Sequence, residues 1–182
     1  MKFAFATLAA TALATYQLAP EEQYDIADFT TEGMTHMDQA RLVAGLLYGI
    51  IDGEDCEHIE LCFTDLHFEA EMVLDGLSLI FEPNLWHPHD FTEGILDLIE
   101  AAAHVPRTVF DCAESVGDDI KLAEWIKGLI AQDDLKAYIK HNVERHIVQL
   151  SNDSRKARKQ FKNQEYFQCG FTLGEMVTIA TQ

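Results

Sequence analysis

The sequence predicts an all-α fold, a disulfide-tied antiparallel helical bundle of about five to six helices. Apolar residues recur every three or four positions over most of the chain, which is the spacing of one helix face. Pro and Gly separate these periodic segments, so short connections are expected to turn each helix back on the one before. The chain has four cysteines, and an even number in a secreted chain indicates disulfides that link the helices.

The first residues have the composition of a secretory leader. Lys2 supplies a positive charge, and a short apolar run with a small-residue cleavage site follows. We therefore predict a signal peptide over residues 1–14, an N-terminal arm over 15–34 and a helical bundle domain over 35–182. The protein is expected to be secreted, either extracellular or in a secretory granule. A transmembrane segment is not expected, because acidic or polar residues interrupt every later apolar stretch.

The first three helices follow from start signals, apolar spacing and stops. Thr35 followed by Asp38 forms a capping pattern, and Gly53 ends the run that begins there. Gly45 and Gly49 lie four apart on this first helix, which allows another helix to approach closely. The predicted helices cover residues 37–51, 55–80 and 91–102.

Three further helices are predicted in the second half of the chain. Pro106 separates the third helix from the fourth, and Asp133 or Asp134 is expected to cap the fifth. The fifth helix is predicted over 135–150, with a possible continuation to Phe161. Only the segment 176–181 has a local preference for β-structure. The predicted helices cover residues 109–130, 135–150 and 166–177.

The cysteines and a glycosylation sequon agree with secretion. If Cys56 and Cys62 share a helix, their six-residue spacing separates them by about 9 Å, which is beyond disulfide reach. Each is therefore expected to pair with Cys112 or Cys169, and no C-x-x-C supports the alternative of a zinc site. Asn152 begins an Asn-Asp-Ser sequon and is a candidate N-glycan site.

Several short motifs occur in a recognisable order between residues 43 and 178. They are the Gly-apolar-apolar-x-Gly segment at Gly45, Val105-Pro106 followed by Val109-Phe110-Asp111-Cys112, Glu124-Trp125-Ile126, and Glu165-Tyr166-Phe167 leading to Gly170 and Gly174. In this order the chain resembles a group of small secreted proteins abundant in ciliates. The resemblance implies secretion and a helical fold, and it transfers no functional residues.

Charge is the strongest anomaly in the sequence. The chain has a formal net charge of −18, and residues 3–106 hold 20 acids and one base, Arg41. Residues 107–182 hold 11 acids and 11 bases. The bases are concentrated in a basic patch with no acid among them, which consists of Arg155, Lys156, Arg158, Lys159 and Lys162. A highly charged face can simply keep a protein soluble, but complementary surfaces on one molecule also favour head-to-tail assembly.

Two groups of residues are candidates for metal binding. Five neighbouring carboxylates suit weak, charge-driven calcium binding without EF-hand spacing; they are Asp52, Glu54, Asp55, Glu57 and Glu60. A second cluster, His87, His89 and Asp90, has the side-chain types of a transition-metal site. Asp90 is equally well explained as a helix cap, and no other cofactor is expected.

The sequence contains no nucleophile elbow, H-E-x-x-H motif, phosphate loop or dinucleotide fingerprint, so we expect no enzymatic activity. Nucleic acid is not expected as a partner of so acidic a chain. The favoured function is a structural protein that self-assembles through its acidic N-terminal half and its basic patch, as an extracellular fibre, surface coat or granule matrix. Its partners would be copies of itself or another secreted protein. The alternative is a carrier that encloses a lipid or another small apolar ligand in the bundle core.

Overall fold

The computed structural model describes residues 31, 33–51, 67–81, 88–105 and 116–182. Within these ranges the chain forms six helices and no strand, which confirms the predicted all-α class. The predicted signal peptide and most of the predicted arm lie outside the described residues. The helices are α1 His36–Ile51, α2 His67–Ile80, α3 Pro88–His104, α4 Val116–Ile130, α5 Leu135–Lys162 and α6 Tyr166–Thr181.

Helix α1 begins at a reciprocal cap and lies at the centre of the molecule. The Thr35 amide donates to Asp38 Oδ2 at 3.0 Å, and the Asp38 amide donates to Thr35 Oγ1 at 3.2 Å. This confirms the predicted capping pattern and gives two backbone N–H groups a partner. From Gln39 to Ile51 every residue except Arg41 is buried, because α1 contacts α2, α3, α4 and α6.

Helices α1 and α6 pack side by side and run parallel. Gly45 and Gly49 of α1 face Gly170 and Gly174 of α6, so that the two backbones come into direct contact. A Cβ atom built on Gly49 would lie 2.9 Å from the Cα of Gly174, which leaves no room for a side chain. The close approach predicted for Gly45 and Gly49 is therefore confirmed, and such pairs also bring Cα–H groups near carbonyl oxygens.

Helices α2 and α3 pack antiparallel, as do α5 and α6, whereas the parallel α1–α6 pair corrects the prediction of an antiparallel bundle. Gly76 of α2 meets Gly94 of α3, and the direction of the contacts on either side of this crossing is antiparallel. Helix α5 returns into α6 through a turn in which Gln164 has a φ of 62°. The amide of Glu165 donates to Gln160 O at 2.9 Å, and this closes the end of α5 tightly enough for α6 to fold back.

Helix α5 extends beyond the predicted range of 135–150 and is bent. Asp134 caps it, since its Oδ1 accepts from the Ala137 amide at 3.0 Å, and the helix continues to Lys162. His146 departs from helical geometry with φ −112° and ψ 15°, which the sequence did not indicate. The β-prone segment 176–181 is helical in α6.

The predicted disulfide ties are not supported by the described residues. Cys169 is a free thiol, contrary to the expectation that it pairs. Its side chain is completely buried in the core and lies beside the backbone of Phe161, where burial raises the pKa of the thiol. Cys56, Cys62 and Cys112 lie outside the described residues, so a bridge among them stays a prediction.

Candidate interaction surfaces

The basic patch lies on the second half of α5 and divides into two parts. Lys156 Nζ is 3.8 Å from Glu175 Oε2 of α6, and the Arg158 guanidinium lies 5.5 Å from the ring centre of Phe81. These two cations are held by the chain's own helices, through an ion pair and a cation–π contact. They are therefore poor candidates for contact with another molecule.

The other three cations of the patch lie on an outward face. Arg155, Lys159 and Lys162 are exposed and follow at intervals of four and three residues, so they share one stripe of the helix. Arg155 Nη1 donates to the side chain of Asn152 at 3.5 Å, a weak contact on the surface. Helix α5 as a whole carries eight Lys or Arg residues and two acids, the reverse of the net charge of the chain.

Helices α2 and α3 form the acidic counterpart. Their described sequences contain seven carboxylates and no Lys or Arg; the carboxylates are Glu69, Glu71, Asp75, Asp90, Glu93, Asp97 and Glu100. Burial raises the pKa of Asp97, and the charges of Glu100, Asp75 and Glu93 raise it further. The acids of the two helices are thus close enough to repel one another. Lys136 of α5 forms an ion pair with Glu93.

The predicted metal cluster is only partly within the described residues. His89 Nδ1 lies 3.2 Å from Asp90 Oδ1, and its Nε2 lies 3.6 Å from Glu93 Oε1. Both ring nitrogens thus face carboxylates at the start of α3. No group of three or more His, Cys, Asp or Glu side chains among the described residues is arranged to hold a metal. His87 and the whole predicted calcium cluster, residues 52–60, lie outside the described ranges.

The candidate glycan site is exposed but helical. Asn152 lies within α5 with its side chain exposed to solvent. A helical sequon is accessible to a glycosyltransferase before folding is complete, so glycosylation of Asn152 stays a prediction.

Sequence reasoning missed a set of side chains that covers the C-terminal end of α6. Asn142 Nδ2 donates to Ala180 O at 3.0 Å, Tyr138 Oη donates to Thr181 O at 3.1 Å, and Trp125 Nε1 lies 3.4 Å from Thr181 Oγ1. The first two donors satisfy carbonyl groups that the helix end leaves without intrahelical partners. The signal in the sequence was that Tyr138 and Asn142 are next to the apolar residues Ile139 and Val143, which are buried in α5.

No protein-family model, curated protein or solved structure matches this chain. The resemblance to secreted ciliate proteins therefore stays a prediction. Among the helices that the structure describes, none combines the length and the apolar content needed to cross a membrane.

Proposed function

We propose that this chain is a non-enzymatic, secreted structural protein that self-assembles by contact between its acidic and basic surfaces. The observation that carries the proposal is the opposite charge of two parts of the same molecule, with Glu71, Asp75 and Glu100 exposed on one and Arg155, Lys159 and Lys162 exposed on the other. The α2–α3 pair has seven acids and no Lys or Arg, and α5 has eight bases and two acids. Complementary charge of this kind steers and orients association between copies.

Several weak contacts must act together for such an assembly. A single exposed ion pair contributes about 0.2–1 kcal/mol, and salt screens it over a Debye length of about 8 Å at physiological ionic strength. Assembly is therefore expected to be strong at low salt and to weaken steeply as salt is added. Calcium is expected to modulate it by neutralising repulsion among the acids.

The first test is light scattering on the purified chain across a salt series, with and without calcium. The structure also indicates which cations of the basic patch to substitute. Reversal of Lys156 and Arg158 would disturb contacts with Glu175 and Phe81, whereas Arg155 and Lys159 face outward. Arg155→Glu/Lys159→Glu is expected to abolish the large species while far-UV circular dichroism and the melting temperature stay those of the parent.

A matched control changes the same charge elsewhere. Lys127 of α4 and Lys140 of α5 are exposed, and neither belongs to the basic patch. Lys127→Glu/Lys140→Glu gives the same net charge as the test variant and is expected to assemble normally. If both variants lose assembly equally, net charge rather than the basic patch governs it. A parent chain that stays monomeric under every ionic condition contradicts the proposed function.

The proposed function also includes a disulfide, but one bridge instead of the two that the sequence predicted. With Cys169 free, the remaining option is a bridge from Cys112 to Cys56 or Cys62. Such a bridge would stabilise the chain in an oxidising compartment. Non-reducing peptide mapping of protein from a secreting host would show one linked pair and two free cysteines, and four free thiols would contradict the bridge.

The carrier alternative receives no support from the α1–α6 interface. The paired glycines bring the two backbones into contact, so that no ligand fits between these helices. Extraction of the purified chain with organic solvent, followed by mass spectrometry, tests carriage directly. A stoichiometric lipid would favour the carrier over the structural protein.

A further inference from the structure

The outward face of α5 combines charge with an exposed apolar residue. Beyond the bend at His146 the helix is regular, and its exposed stripe continues from Arg155 back to Asn152 and Val148. Val148 is 55 % exposed, so an apolar side chain lies on a stripe whose other residues are polar or charged. The stripe thus has an apolar residue at one end and cations at the other, over about 21 Å of helix.

Helix α2 presents the complementary order on its own outward face. Phe68, Glu71 and Asp75 are exposed and follow at intervals of three and four residues, so they share one stripe. Phe68 is 59 % exposed although its ring meets the His104 ring edge-on at 6.0 Å. Here too an apolar residue comes first along the helix and charge follows, but the charge is negative.

The spacing of the two stripes matches. Val148 and Arg155 are seven residues apart on α5, and Phe68 and Asp75 are seven residues apart on α2. Seven residues correspond to about two turns, or 10.5 Å, on each helix. When two such helices lie parallel, the apolar residues meet at the same register that brings the opposite charges together. The contact would thus combine an apolar pair with polar pairs, as protein interfaces generally do.

We propose that the α5 stripe of one molecule docks in parallel on the α2 stripe of a second copy, with Val148 on Phe68 and Arg155 against Asp75. This inference rests on the proposed function and names its contact. Because the two stripes are different surfaces, the contact is heterologous, and each molecule keeps one stripe of each kind for the next neighbour. The same contact therefore repeats along an open chain of molecules.

Charge exchange tests the pairing of Arg155 with Asp75. Arg155→Glu and Asp75→Lys are each expected to raise the protein concentration at half-maximal light scattering by roughly tenfold, because attraction at one pair becomes repulsion. The double variant Asp75→Lys/Arg155→Glu restores the opposite charges in exchanged positions and is expected to assemble within about threefold of the parent.

Matched controls lie on α4, where Glu124 and Lys127 are exposed. Glu124→Lys and Lys127→Glu carry the same charge changes and are expected to leave assembly unchanged, while circular dichroism checks that every variant is folded. Val148→Ser and Phe68→Ser test the apolar half of the contact and are each expected to weaken assembly about threefold to tenfold at high salt, where charge contributes least.

The outcomes separate this docking from the proposed function. If the parent assembles and Arg155→Glu/Lys159→Glu blocks it, but the exchanged double variant stays as weak as the single variants, the docking is wrong and the proposed function stands. A parent chain that does not assemble at any salt concentration overturns both. Restored assembly in the double variant, without any rescue by Glu124→Lys/Arg155→Glu, supports the docking.

Discussion

Substitution of a single glycine tests the packing at the centre of the molecule. In Gly170→Ala the new Cβ would lie 2.8 Å from the Leu46 backbone nitrogen and closer still to the Leu42 carbonyl oxygen. Both atoms belong to the backbone of α1, so they cannot rotate away as a flexible side chain can. Relief of the Leu46 contact alone to about 3.5 Å requires a displacement of about 0.7 Å, and the shorter Leu42 contact requires α6 to move away from α1 by more than about 1 Å.

The expected loss of stability follows from this displacement. A gap of about 0.5–1 Å removes a quarter to a half of the dispersion attraction across an interface, and overpacking by one methyl group generally costs about 1–3 kcal/mol. Alanine recovers about 1 kcal/mol of helix propensity relative to glycine. Since the opposing atoms are backbone and cannot repack, we expect a cost at or above the top of that range, about 3–5 kcal/mol. After the recovered helix propensity, the free energy of unfolding should fall by about 2–4 kcal/mol, a large part of the stability of a small domain.

Urea unfolding followed by far-UV circular dichroism measures the effect, and Gly128→Ala is the matched control. Gly128 lies within α4, where a Cβ would meet nothing within 4 Å. There the same substitution is expected to raise stability by about 0.5–1 kcal/mol, through helix propensity alone. If Gly170→Ala proves as stable as Gly128→Ala, the backbone contact between α1 and α6 does not exist and the reasoning is refuted.

Three further predictions concern buried groups. The Cys169 thiol, whose pKa burial raises, should resist alkylation in the folded chain and react on unfolding, which mass mapping of the modified peptide would show. Asn142→Ala should lower the free energy of unfolding by about 1–3 kcal/mol, since it leaves the Ala180 carbonyl without its donor; an unchanged urea midpoint would contradict this. Burial first, and then the charge of Glu100, raises the pKa of Asp97 above its ordinary value of 3.8, so its ionised form destabilises the fold at neutral pH. That penalty disappears as pH falls through the raised pKa. Asp97→Asn should therefore be more stable than the parent at pH 7 by urea unfolding, with the difference vanishing near pH 4.

The sequence predicted the helices well because their signals are local. The cap at Thr35, the apolar spacing of α3 and the stop between α5 and α6 each depend on residues within a few turns of one another. Helix α5 reaches Lys162 because no Pro or Gly interrupts it, and its Asn152 is tolerated on an exposed face. The predicted early parts of the second and fourth helices lie outside the described residues.

Features that depend on distant residues were predicted less well. The Gly-x-x-x-Gly spacing at Gly45 indicated a close approach but could not identify Gly170 as its partner or the parallel direction of the pair. The bend at His146 has no Pro or Gly to indicate it. For the candidate surface, the sequence was sufficient to identify the basic patch. It could not show that Lys156 pairs with Glu175 while Lys159 faces outward, because this depends on how α5 packs on α6.

The parallel pairing of α1 with α6 also has a consequence for how the chain folds. Gly45 and Gly170 are more than a hundred positions apart, so the close backbone contact between α1 and α6 forms between segments that are made at very different times during synthesis. Until α6 emerges, the glycine face of α1 has no helix to cover it. Long-range contacts of this kind slow folding relative to bundles whose helices meet only their sequence neighbours. We therefore expect the final, rate-limiting step of folding to be the docking of α6 on α1, with a rate that is sensitive to any side chain at Gly170.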